Sequence, residues 1–293
     1  MKSREDFLGR FWPGTATSVQ GPLERLGALA SLPELADVYG VVEAFKDPVM
    51  VILPDERDES STLKVDGGAA LGLYGQGMAL CFSSVDKFIP EVDRWLQALR
   101  RELGLPSATY ARALVYAAKP GAGNFPHYDA NANFVVQLQG TKRWTLAPNT
   151  HVVNPTDRWT MTSPHLPAEV NPEVEMPRRM PADALSIDLV PGSVLFVPRG
   201  YWHATEVGSE DTLALNFTYS QPTWAEVVTA VMLNRLHREP EFRRLADGLE
   251  SKDSTRQAAA RAELSRMVDR FKGEAACVDG EAVFAELMAA ALG

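Results

Sequence analysis

His127 and Asp129 stand two positions apart in "FPHYDANANFVVQLQGTKRW", and a second histidine, His203, lies far downstream. On an extended strand side chains alternate faces with period two, so His127 and Asp129 point one way and Tyr128 the other. Two same-face ligands can reach one ion, and a third is then wanted from a facing strand. His203 fits that need: in "VPGSVLFVPRGYWHATE" a Pro-Gly turn, an apolar strand and a second Pro/Gly turn lead into it. Two imidazoles and one carboxylate on one side of a metal leave its other positions open, which suits Fe(II) that must also bind a cosubstrate and oxygen. The competing reading is two satisfied histidines and an aspartate capping a turn, because His-x-Asp alone is common. Against it stands the joint pattern, which no other part of the sequence duplicates. His151, His165 and His237 fall in a polar insert or on helices and are expected to be solvated.

Lys142 shares strand parity with Trp144 and Leu146, so if those two face a core, the lysine does too. A buried ammonium needs an anion opposite it, and a bound dicarboxylate spanning metal and lysine would supply one. Parity alone leaves a second reading open, a snorkelling lysine on a strand edge beside Arg143.

The elements that must position these groups are legible in the texture around them. From Tyr110 to Tyr219, short apolar or alternating runs are separated by Gly and Pro, the pattern of an antiparallel sandwich or small barrel. "QGTK" and "VPGS" look like tight connections. Residues 149–183, rich in Pro and polar side chains, read as an insert over one mouth of the barrel, with Trp159, His165, Arg178 and Arg179 expected at that mouth. Residues 1–104 read as a mixed α/β region packing on the barrel. In it "VMVILPDERDESS" is a short buried strand leaving into a charged loop, and "EVDRWLQALRRELG" is a helix stopped by Gly104. The barrel is expected over 105–221, and 222–293 should be helical, with apolar faces at Trp224–Val231 and Leu264–Phe271.

The chain has 293 residues and a net charge of −9, an acidic balance that argues against nucleic acid as a partner. Its two cysteines, Cys81 and Cys277, form no CxxC pattern, so disulfides and thiolate zinc are not expected and a reducing cytoplasm fits best. The charged start "MKSREDFLGRFWPG" does not read as a signal peptide, and no segment is apolar enough to span a membrane.

Residues from about Met78 to Tyr219 resemble the Jumonji-C hydroxylases of the cupin superfamily. The likeness is strongest to the ribosomal oxygenases and to the asparaginyl hydroxylase of hypoxia-inducible factor. "HYD", then "FVVQLQGTKRW", then "PGSVLFVPRGYWH" match in order and spacing. The resemblance implies a double-stranded β-helix that binds Fe(II) through His127, Asp129 and His203 and uses 2-oxoglutarate as cosubstrate with O2. It implies that Lys142 pairs with the distal carboxylate of 2-oxoglutarate. Asn133 and Asn216 match polar residues at the cosubstrate and iron. Tyr116, with a one-residue offset, matches a cosubstrate-contacting tyrosine, and Asn124 stands where a hydroxyl donor to the same carboxylate is found. Larger members carry a helical dimerisation region followed by a winged helix. The residues after 221 match the helical part, so its apolar faces would pack on a second copy or back on the barrel.

The activity so implied is oxidative decarboxylation of 2-oxoglutarate coupled to hydroxylation of an unactivated C–H bond, on an amino-acid side chain in a protein or peptide. Two alternatives stay open: hydroxylation of a small molecule such as a free amino acid, and a non-catalytic metal-binding cupin module. An intact ligand set together with Lys142 argues against the module, which has no need of all four residues.

Overall fold

A computed structural model describes residues 3–54 and 61–292; the charged loop expected after Ile52 lies largely outside them, at 55–60. The chain separates into two compact units, one formed by Met1–Leu105 with Thr109–Gln221 and the other by Pro106–Ala108 with Pro222–Gly293.

Among the described residues the first unit holds thirteen antiparallel strands: β1 (Thr17–Val19), β2 (Val49–Ile52), β3 (Thr62–Val65), β4 (Ala79–Ser83), β5 (Tyr110–Ala118), β6 (Gly123–Tyr128), β7 (Ala132–Gln139), β8 (Lys142–Ala147), β9 (Trp159–Thr160), β10 (Leu185–Leu189), β11 (Val194–Val197), β12 (Trp202–Val207) and β13 (Thr212–Ser220). They form an eight-stranded sheet, β1-β11-β7-β13-β5-β4-β2-β3, and a five-stranded sheet, β10-β8-β12-β6-β9. The strands from residues 17–83 therefore lengthen the large sheet at both of its edges. Among the described residues the unit also holds the α-helices α1 (Arg4–Arg10), α2 (Val38–Ala44), α3 (Gly67–Gly75) and α4 (Pro90–Glu102), with three short 3-10 helices between them.

Period-two alternation divides the large sheet into an apolar face and a functional one. On β13, Leu213, Leu215, Phe217 and Tyr219 enter the main core together with Ala113, Val115 and Ala117 of β5 and Val92 and Leu96 of α4. The intervening Ala214, Asn216 and Thr218, with Leu114 and Tyr116 of β5, face a cavity instead. The Phe134 ring on β7 lies within 6.3 Å, between centroids, of the rings of Phe7, Trp12, Phe196 and Tyr219, and truncating such a buried aromatic costs about 3–5 kcal/mol. The Tyr219 hydroxyl donates to the Leu96 carbonyl at 2.8 Å, which satisfies the polar tip of a buried side chain and ties β13 to α4.

Gly140, in the turn between β7 and β8, has φ +64°, and a Cβ there would collide with the backbone carbonyl of Asp211. Both facts demand glycine. The same holds for Gly192 before β11, at φ +88° against the carbonyl of Gly21. The insert runs mainly as turns and is anchored by a satellite core of Tyr128, Trp159, Trp202 and Met176. The Trp159 indole N–H donates to the His165 carbonyl at 2.7 Å.

The second unit contains α5 (Trp224–Leu236), α6 (Ser254–Ala276) and α7 (Gly280–Leu292). A reciprocal capping box between Thr223 and Glu226 starts α5, and Asp253 caps α6. Ion pairs such as Arg266–Glu241 and Arg270–Glu241, both at 2.7 Å, lace its surface.

Candidate metal and cosubstrate site

His127 on β6 and His203 on β12 are direct cross-strand partners. Their rings lie 4.1 Å apart between centroids. Each imidazole is fixed by a local carbonyl: His127 Nδ1 lies 2.7 Å from the Phe125 oxygen and His203 Nδ1 lies 2.9 Å from the Tyr201 oxygen. With Nδ1 donating, each Nε2 is left as the free lone pair, which is how a metal-ligating histidine is usually oriented. Trp144 stacks on His203 at 5.7 Å. Asp129 follows β6 directly, and its carbonyl accepts the Gly200 N–H at 2.8 Å, so the backbone joins the two ligand-bearing segments. One ligand atom from each of His127, Asp129 and His203 falls within 4.8 Å of the others.

The Asp129 carboxylate has two distinct oxygens. Oδ2 lies 3.5 Å from His203 Nε2 and accepts from Asn133 Nδ2 at 3.2 Å. Oδ1 meets Arg158 Nε at 3.3 Å. Asn133 is held in turn by the Thr218 hydroxyl, which donates to its Oδ1 at 2.7 Å. Burial pushes the carboxyl upward, but its neighbours His203, His127 and Arg158 outweigh it and hold Asp129 well below the usual carboxylate range. Burial pushes His127 down to about 3, with His203 and Arg158 acting in the same direction. At neutral pH His127 is therefore neutral and Asp129 anionic, the forms in which both donate electron pairs to a cation.

Lys142 opens β8 and is 8% exposed, whereas Arg143 beside it faces out and pairs with Asp188 at 2.7 Å. Among the described residues the ammonium makes no hydrogen bond or ion pair; it lies 5.9 Å from the Tyr116 ring. Burial lowers its pKa to about 8, opposed by nearby Cys81.

The three prospective ligands, Lys142, Asn133, Asn216, Tyr116 and Asn124 all line one cavity of about 230 Å³. Asn124 pairs with Thr205 across β6 and β12, its N–H donating to the Thr205 hydroxyl at 3.0 Å. Asn216 Oδ1 is buried without a hydrogen-bond donor. A divalent cation fits the compact two-imidazole, one-carboxylate set. A carboxylate-bearing cosubstrate fits a cavity that also holds a desolvated cation with no anion of its own.

Arg112, Arg158 and Thr205 are among the further lining residues that escaped the sequence reading. Thr205 could have been found, since it shares a strand face with His203. Arg158 sits in the irregular insert, where no period marks direction. The mouth expectation for the insert fails at Trp159, which is 6% exposed within the satellite core. Arg178 is spent on the carbonyls of Met161 and Ser163, and neither it nor His165 or Arg179 lines the cavity.

Residues 87–227 match the family model described as "JmjC domain". The chain is 32% identical over 286 residues to the uncharacterized protein YxbC of Bacillus subtilis, a match covering 95% of this chain and 86% of that protein. It is 31% identical over 185 residues to ribosomal oxygenase 1 of Rattus norvegicus, covering 60% of this chain and 28% of the relative. Likeness to HSPB1-associated protein 1 of the same species is 29% over 144 residues, or 45% of this chain and 29% of that one. The chain thus spans less than a third of the length of these two mammalian relatives. Among solved structures, Escherichia coli ycfD shares the fold at a TM-score of 0.51 and 17% identity, over 94% of this chain and 70% of that one.

Proposed function

Because this chain belongs to the JmjC-domain family, we propose that it is an Fe(II)- and 2-oxoglutarate-dependent dioxygenase that hydroxylates a side chain of a protein or peptide. The observation that carries this reading is the single cavity lined by both the His127–Asp129–His203 cluster and a buried, anion-less Lys142. When bound, the iron would supply the oxidising chemistry that couples decarboxylation of 2-oxoglutarate to insertion of one oxygen atom into a C–H bond.

The chain's own residues bind and orient. His127, Asp129 and His203 would hold the metal, with Phe125 and Tyr201 carbonyls fixing the rings and Asn133 fixing the carboxylate. Lys142 would pair with the distal carboxylate of the cosubstrate. Tyr116, Asn124 and Asn216 offer polar contacts along the same cavity. Trp144 and Leu146 keep water from the ligand side of the small sheet, so charge interactions inside are stronger than in bulk water. No side chain need transfer a proton; catalysis rests on placement.

A protein or peptide substrate is supported by the likeness to ribosomal oxygenase 1. A homodimer through the second unit is supported by its exposed apolar residues Trp224, Val228, Leu264 and Phe284. Two free cysteines support a reducing cytoplasm, the net charge of −9 speaks against nucleic acid, and no helix among the described residues is long and apolar enough to cross a membrane.

The test is an anaerobic titration of the metal-free protein with Fe(II) and then 2-oxoglutarate, following the visible band that accompanies keto-acid chelation. A saturating band supports the assignment. Metal binding without a band would reduce the protein to a metal-binding cupin.

A further inference from the structure

The cavity carries positive charge at two places along β5. Lys142 stands beside Tyr116. Arg112, on the same strand face four residues earlier, lies about 13 Å away along the strand. Thr218 is the cross-strand partner of Arg112, and Thr218 holds Asn133, which donates to Asp129. Arg112 therefore belongs to the Asp129 side of the cavity, where the insert also brings Arg158.

Arg112 is half-buried, and its Nε is buried with no acceptor. Its contacts are neutral: the Ser83 hydroxyl 3.3 Å from Nη1 and the Tyr110 ring at 6.0 Å. Asp86, on the adjoining segment, accepts the Ala113 N–H at 2.7 Å and forms no ion pair with Arg112. Of the cavity's own acids, Asp129 is engaged by His203, Asn133 and Arg158, and Asp157 accepts the Arg158 backbone N–H at 2.8 Å. Drawing a cation out of water with no anion beside it is unfavourable, and a guanidinium is shaped to take a carboxylate with two parallel N–H bonds.

We propose that Arg112 is a specificity-determining residue that grips a carboxylate on the substrate, with Arg158 adding positive charge beside it. The acceptor is then an acidic side chain rather than a neutral or basic one. This deepens the oxygenase reading and rests on it, because that reading assigns Lys142 to the cosubstrate and leaves Arg112 to the substrate. A basic acceptor would meet two arginines and leave the Arg112 Nε unpaired.

The test is calorimetric binding to full-length protein loaded anaerobically with Mn(II) and 2-oxoglutarate. The probes are acetylated and amidated Gly-Gly-Xaa-Gly-Gly peptides with Asp, Glu, Asn, Gln, Lys or Arg at the centre, alongside free aspartate and glutamate. Acidic probes should bind at least tenfold more tightly than their amides. Arg112→Gln should erase that preference while Arg112→Lys keeps part of it, and the loss should fall on the acidic probe rather than on 2-oxoglutarate. Tighter binding of the free amino acids than of the peptides would support the carboxylate site and assign it to a small molecule. A preference for neutral or basic probes, no binding of any acidic probe, a preference unmoved by Arg112→Gln, or a loss of 2-oxoglutarate affinity in that variant would each overturn the proposal. Titration of 2-oxoglutarate alone separates the two readings: its failure to bind, with acidic selectivity intact, would sink the oxygenase and leave the carboxylate site standing.

Discussion

The β-sheet unit and the helical unit bury their side chains on different terms. In the first, apolar residues fill the sheet faces, and His127, Asn133, Lys142, His203, Thr205 and Thr218 are polar, buried and gathered round one cavity. In the second, Met232 and Ala260 are the buried residues among those described, while Trp224 is 84% and Phe284 62% exposed. Neither a buried lysine nor a water-facing tryptophan is kept for the stability of its own unit. The first asks for a ligand inside, the second for a surface outside.

The sharpest way to break this contrast is Asp129→Ala. It should reduce 2-oxoglutarate turnover to background while the melting curve stays cooperative, because the proposed metal site loses one of its three ligands but the core is untouched. Turnover at the wild-type level would remove Asp129 from the metal. Lys142→Met comes next, with two effects of opposite sign. The affinity for 2-oxoglutarate should fall about 30-fold, the equivalent of ~2 kcal/mol for removing one partner of a buried charge pair. The ligand-free protein should melt a few degrees higher, roughly 2–4 °C, because an unpaired buried cation has gone.

The pH dependence follows from the same residue. Its folded, ligand-free pKa is about 8, below the ordinary 10.5, because burial disfavours the charged form. A bound carboxylate favours that form and raises the pKa again. Binding therefore takes up a proton above pH 8, and affinity should fall there by up to about tenfold per pH unit. Affinity that is flat to pH 9.5 would show that the ammonium does not meet the ligand.

For the helical unit, Val228→Asp should halve the mass seen in sedimentation at micromolar concentration; a wild type that is already monomeric would end the surface reading. The smallest effect belongs to Thr223→Ala, which removes the capping box of α5 and should cost the helical unit about 1 kcal/mol in chemical denaturation.

How much of this was legible in advance depended on periodicity. His127 and Asp129 flank Tyr128, and the structure sends the tyrosine to the satellite core and the other two to the cavity, as alternation requires. Lys142 had two readings, and only the partners of β8 on both sides, β10 and β12, make its face an interior one. Arg112 stayed hidden because "ARALVYAA" puts small or apolar side chains on both faces, so its direction is set by β4 and β13, neither adjacent in sequence. The pairing of β1 with β11, more than 170 residues away, leaves no local trace either.

The glycine turn before Lys142 has a consequence for evolution and engineering alike. Gly140 fixes where β8 begins, and Lys142 is the second residue after it. Inserting or deleting one residue in that turn would exchange the faces of the whole strand, carrying Arg143 inward and Lys142 out to Asp188. A length change in a surface loop would thus rewrite the cavity without altering any residue that lines it. Homologues that differ in this turn should be sorted by strand parity before their lysines and arginines are aligned by column.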